Sequence, residues 1–159
     1  MRDDEPFALE LGQPRSLTFH CTIHSRPVPK AAICHTKDGK GYYPKSTKQA
    51  MRQIKHETLN KKIAKFSDPD FKPLTNPQDP MFTQAVKVTL VYAFIRPKSV
   101  KDHQRPYPSV VPDIDNLAKL TLDCLQPHII KDDCLIVVLN KKKIYDDTEY
   151  TDITVEDLL

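Results

Sequence analysis

The chain has 159 residues, with 24 Lys+Arg against 21 Asp+Glu, a formal net charge of +3, 39% hydrophobic and 28% charged residues. That length suits one domain able to bury a real core without staples, and the composition is that of an ordinary soluble globular domain rather than a disordered or fibrous chain. Net charge alone is too small to indicate nucleic acid. No leader pattern and no long apolar run are visible, so a cytoplasmic protein with no membrane partner is expected. Cys21, Cys34, Cys124 and Cys134 form no Cys-x-x-Cys pair and are expected as free thiols. Cys21-x-x-His24 with Cys34-His35 is a poor zinc set, because Cys21 and His24 point to opposite faces of a strand.

In chain order, residues 1–15 are polar with scattered apolar positions and read as a flexible tail. Residues 16–24 alternate, with Leu17, Phe19, Cys21 and Ile23 on one face and Thr18, His20, Thr22 and His24 on the other, as in a half-buried strand. Residues 26–43 carry Pro27, Pro29 and the turn signal Asp38-Gly39, together with Lys30, Lys37 and Lys40. This basic loop could hold phosphates as readily as it could be a solvated loop. Ser46-Thr47-Lys48-Gln49 fits a capping box opening a helix to about residue 66. Met51, Ile54, Leu59, Ile63 and Phe66 approximate its buried stripe, and Lys48, Arg52, Lys55, Lys61, Lys62 and Lys65 its solvated face. Pro69, Pro73, Pro77 and Pro80 mark a surface loop over residues 67–80.

Residues 83–95 give the strongest strand. Val86, Val88, Leu90, Tyr92 and Phe94 alternate, and the far part is apolar on both faces, as expected of a central strand covered by helices. Arg96, Lys98, Lys101, His103 and Arg105 follow and lead to Pro106-Tyr107-Pro108. Such a basic loop suits a nucleic-acid backbone, with Tyr107 placed to stack on an unpaired base. Leu117, Leu120 and Cys124 define a helix over residues 116–125, which Pro127 cannot continue. Residues 135–143 read as a strand ending in Lys141-Lys142-Lys143, either a phosphate patch or a solubilising edge. Residues 151–155 suggest a last short strand. The order β, loop, α, β, α, β, β predicts an α/β (α+β) domain with a single mixed β-sheet and two principal helices over residues 1–159.

The chemistry concentrates between Pro112 and Asp133. Asp113 and Asp115 stand where a helix begins, and either suits an N-cap. One cap needs one Asp. Four acids converging, if Asp132 and Asp133 join them, would repel unless a cation neutralised them. Hard oxygens with little His or Cys nearby suit Mg²⁺ or Mn²⁺, the usual apparatus of phosphoryl hydrolysis. Lys119, four residues after Asp115, could pair with it on one helix face or aim an ammonium at a phosphate. Asp115 and Asp133 would meet only if residues 126–132 return the chain.

The motif Asp113-Ile114-Asp115-Asn116-Leu117-x-Lys119, then Leu122-Asp123-x-Leu125 and Asp132-Asp133-x-x-Ile136, resembles the RusA family of Holliday junction resolvases. Pro27-x-Pro29-Lys30, Tyr43-Pro44 and the lysine run before Tyr145 extend the likeness over most of the chain, from about residue 16 to 155. The resemblance implies a Mg²⁺-dependent, homodimeric endonuclease acting on four-way or branched DNA. It implies metal ligation by Asp113, Asp115 and Asp133 and an essential Lys119, with DNA contacts expected from Lys30, Arg96, Lys98, Lys101, Arg105 and Tyr107. A phage or prophage origin is compatible with so short a resolvase. Two positions depart from the family pattern. Ala31, Ala32 and Ile33 stand where many members have arginines, and Gln126, Pro127 and His128 where many have a glycine.

Three other readings begin from the same residues. A haloacid-dehalogenase-type phosphatase wants Thr or Val where Leu117 stands and an unbroken strand where Pro112 stands. A glycosyltransferase with Asp-x-Asp needs a far larger chain. A non-catalytic module that binds branched DNA would use the acids only to fix the fold.

Overall fold

The computed structural model describes residues 16–72 and 75–158. The tail expected over residues 1–15 lies outside them. The elements are β1 (Thr18–Ile23), β2 (Cys34–His35), β3 (Gly41–Tyr42), α1 (Lys45–Phe66), β4 (Val86–Ile95), α2 (Ile114–Leu125), a 3₁₀ turn (Asp133–Leu135), β5 (Ile136–Asp146) and β6 (Tyr150–Asp157). The four long strands make one mixed sheet in the order β1-β6-β4-β5. β4 is parallel to β5 and antiparallel to β6, which is antiparallel to β1. β2 and β3 form a separate antiparallel pair that turns at Gly39, whose φ of 78° favours glycine. The fold is therefore α+β with a mixed sheet and two helices, as the residue pattern predicts.

Alternation explains how the sheet packs. Phe19, Cys21 and Ile23 of β1, Ile153 and Val155 of β6, and Val86, Val88, Leu90 and Tyr92 of β4 share one buried face. Both helices lie on that face. The Tyr92 and Thr121 hydroxyls meet at 2.9 Å, and Leu117, Leu120, Cys124 and Leu125 of α2 are all buried. On α1, Lys65 Nζ donates to the Thr18 carbonyl at 2.7 Å. The four cysteines are free, and burial pushes the Cys21 and Cys124 thiols up to about 11.

Three local expectations are corrected. α1 starts one residue before Ser46, and Pro44 holds the N-cap position with no side-chain cap, so the capping box is not formed. Its buried positions are Thr47, Ile54, Thr58 and Lys62, whereas Leu59 and Ile63 are exposed. Lys62 tolerates burial because its ammonium donates to the Asp79 carbonyl at 2.5 Å and lies over the Phe66 ring. Burial lowers its pKa all the same. Finally, helices cover only one face of β4. Val91 is half-buried and Ile95 exposed on the other. No helix among the described residues is long and apolar enough to cross a membrane.

Two tests follow from this packing. Leu120 is fully buried, so Leu120→Ala is expected to cost about 3 kcal/mol in denaturant melts. His128 is hydrogen-bonded to the Thr58 hydroxyl at 2.9 Å; burial first, then Lys62 and Lys55, lowers its pKa below 6.5. A depressed pKa means that the unfolded chain takes up the proton first, so this contribution is present above pH 6.5 and is lost on acidification. The melting temperature should fall between pH 7 and pH 5 less steeply in His128→Gln than in the wild type.

Candidate active site

Asp113 occupies the N-cap position of α2 with extended backbone (φ −67°, ψ 138°), yet its carboxylate makes no capping hydrogen bond. Its backbone carbonyl accepts from Leu117 N at 3.1 Å. Asp113 and Asp115 are both exposed, at the helix end whose free N–H groups favour negative charge. The cap expected of one of them is thus not taken up by Asp113.

Asp115 is held across elements. Lys141 of β5 donates to Asp115 Oδ1, so of the two roles open to Lys119 the pairing along the helix is not the one formed. That hydrogen bond first, then the charges of Lys141 and Lys119, hold the Asp115 carboxyl below the usual range. Lys143, two residues on and on the same strand face, donates to the carbonyls of Val110 at 2.6 Å and Pro112 at 3.0 Å. The two lysines fasten the segment leading into α2 onto β5. Their role was not foreseen, although the i, i+2 spacing within the lysine run was the available signal.

Asp113, Asn116, Val111 and Pro112 line an open groove of about 600 Å³ with Pro27, Pro29 and Lys30. Lys30 ties that loop to the helix. Its N–H donates to the Asn116 carbonyl at 2.8 Å, and its ammonium donates to Asp123 Oδ2 at 2.5 Å, which raises the lysine pKa.

The basic loop after β4 divides into two groups. Arg96 Nε meets Asp102 at 2.8 Å, Nη1 donates to the Arg105 carbonyl, and the guanidinium lies 4.2 Å from the Tyr145 ring centroid. Arg105 approaches the same ring at 6.0 Å. These arginines build the loop. Lys98, Lys101 and Tyr107 are exposed, Tyr107 at 68%.

Asp133 stands elsewhere. It opens the 3₁₀ turn before β5, where Asp132 Oδ1 accepts from Cys134 N at 2.9 Å, a bond that lowers the Asp132 pKa. Just upstream, Ile130 bridges to Phe82, ahead of β4. Because β4 and β5 are parallel, α2 runs back between them. Its beginning lies beside Lys141, and its end leads to the start of β5. From Asp115 to Leu125 the helix rises about 15 Å, whereas oxygens sharing Mg²⁺ lie within roughly twice 2.1 Å of each other. Among the described residues, no three His, Cys, Asp or Glu side chains are grouped to hold one ion. Asp113 and Asp115 fit Mg²⁺ as a carboxylate pair completed by water and phosphate; Asp133 of the same chain does not join them.

The model of a family described as Endodeoxyribonuclease RusA matches residues 25–156, and no curated protein matches the chain. The match takes in the groove loop, both ends of α2 and the lysine strand.

The Lys141 contact gives a direct check. In Lys141→Gln the Asp115 carboxyl should titrate nearer its ordinary 3.8, as followed by carboxyl NMR. An unmoved midpoint would mean that Lys141 is not its partner in solution.

Proposed function

This chain belongs to the RusA endodeoxyribonuclease family, and on that footing we propose that it resolves four-way DNA junctions by Mg²⁺-dependent hydrolysis of paired phosphodiesters. The observation that carries the reading is the pair of exposed carboxylates, Asp113 and Asp115, left uncapped at the start of α2 beside the groove. The chain acts in this reading as one RusA-like domain over residues 1–159, in a homodimer whose two equivalent sites match the two cuts a junction needs.

Asp113 and Asp115 would hold Mg²⁺, with Mn²⁺ as a substitute. When bound, the ion supplies Lewis-acid stabilisation of charge on a phosphate and a water acidic enough to attack it. Lys119 is exposed one turn along α2 and supports the scissile phosphate or the departing oxygen. Lys141 orients the Asp115 carboxylate until it engages. Lys98 and Lys101 meet DNA phosphates, and Tyr107 stacks on an unpaired base at the branch. Arg96 and Arg105 act by shaping that loop, and Lys30 by fixing the groove wall on α2.

Labelled four-way junction and linear duplex, incubated with and without Mg²⁺, test the reading. The junction should be cut symmetrically only with the ion, and Asp113→Asn should cut at least about 100-fold more slowly while still binding it. Undiminished cleavage by Asp113→Asn would remove the catalytic assignment, and tight junction binding with no cleavage by the wild type would favour the non-catalytic module. Lys101→Ala should weaken binding to every junction sequence alike and reduce the salt slope by about one.

A further inference from the structure

One row of exposed cations stands apart from the rest. Lys45, Lys48, Arg52 and Lys55 follow one another at i, i+3, i+7 and i+10 along α1, all exposed, so they share one helix face. Each neighbouring pair in the row is a like-charge pair at contact spacing, which destabilises a helix. Lys45 and Lys48 also occupy the first turn, where no acid stands and the macrodipole disfavours cations. None of the four forms an ion pair among the described residues. Glu57, the one acid of α1, accepts from Gln53 at 2.8 Å instead. On the sheet, by contrast, Lys87 meets Glu156 at 2.7 Å. Helix stability gains nothing from such a row, and an external polyanion would relieve its repulsion.

We propose that this row is a second nucleic-acid contact, which holds the phosphate backbone of a duplex arm leading away from the branch. Its length selects the ligand. At 1.5 Å per residue the row is about 15 Å long, the axial span of about four phosphates of one duplex strand at roughly 3.4 Å each. A lone phosphate would engage one or two of the cations and leave the others repelling. The surface beside the row continues its character. The β2–β3 hairpin leads directly into α1, with Lys40 exposed at its turn and Tyr42 exposed at 44%. Lys48 Nζ lies 5.8 Å from the centroid of the Tyr42 ring. A Cβ at Gly41 would come within 2.9 Å of Ile33 Cγ2, so the hairpin packs closely on the loop that lines the groove beside Asp113. On α2, Cys124 Sγ reaches the Met51 carbonyl at 3.8 Å. Direct packing thus ties the row to both walls of the groove, although none of its four residues lines the groove itself. The inference rests on the branched-DNA reading above and assigns an arm of that substrate to a face outside the groove.

Binding of a labelled four-way junction and of a labelled linear duplex, measured in EDTA against salt concentration, tests the contact. Each phosphate contact contributes about 0.9 to the salt slope, so Lys48→Gln/Arg52→Gln should lower the slope by about two on both DNAs. Glutamine keeps the helix propensity of the residues it replaces. Lys61→Gln/Lys72→Gln removes the same charge from exposed positions off the row and should leave the slope as it is in the wild type. An unchanged slope in Lys48→Gln/Arg52→Gln, or an equal drop in both double variants, would overturn the contact. A drop on the junction alone would place the row at the branch and overturn its assignment to an arm. A wild type that shows the expected slopes but cuts no junction in Mg²⁺ would instead remove the proposed function and leave the contact in place.

Discussion

The parallel pairing of β4 with β5 is the constraint on which the site depends. Two parallel neighbours cannot be joined by a tight turn, so the chain must cross back over the sheet. α2 makes that crossing, and burial of Leu117, Leu120, Cys124 and Leu125 against the Val88–Leu90–Tyr92 face fixes it there. Once the crossing is fixed, the two acidic ends of α2 cannot lie at the same end of the sheet. Asp113 and Asp115 fall beside the lysines of β5, and Asp132 and Asp133 fall before the strand begins.

The lysine strand has a structural task as well as an electrostatic one. Lys141 and Lys143 lie on the helix-side face, where β1, β6 and β4 carry only apolar groups or threonine at their central positions. At β5 that layer gives way to ammonium groups, which reach out to Asp115 and to the Val110 and Pro112 carbonyls. The same side chains that anchor the start of α2 place positive charge where phosphates would approach two carboxylates. The arginines after β4 have the structural task alone, since Arg96 is spent on Asp102, the Arg105 carbonyl and the Tyr145 ring. Exposed lysines are left to meet a ligand.

Much of this was legible in the residues. Period-two alternation placed β1, β4 and β6 because each has one face in a continuous core, the strongest pattern a strand can carry. The end of α1 was found, and Met51, Ile54 and Phe66 of its expected stripe do pack on the core, but the middle of its buried face was not. Leu59 and Ile63 looked like core, and Lys62 looked like surface, because periodicity cannot see that the Asp79 carbonyl waits to receive an ammonium. The Asp113-x-Asp115 pair and Lys119 stood out as chemistry, while Lys141 and Lys143 did not, since their partners lie 26 and more residues away. Asp133 was legible as a residue and not as a place. Its distance from Asp115 follows from strand direction, which a run of apolar residues does not state.

The central proposal is that Asp113 and Asp115 form the acidic heart of a divalent-ion site at the start of α2. Anomalous scattering from Mn²⁺ in crystals of the wild-type protein tests it most directly. The account places the ion beside the Asp113 and Asp115 carboxylates, away from Asp133 of the same chain. An ion held by all three aspartates of a single chain, or intact and open carboxylates with no ion beside them, would contradict it.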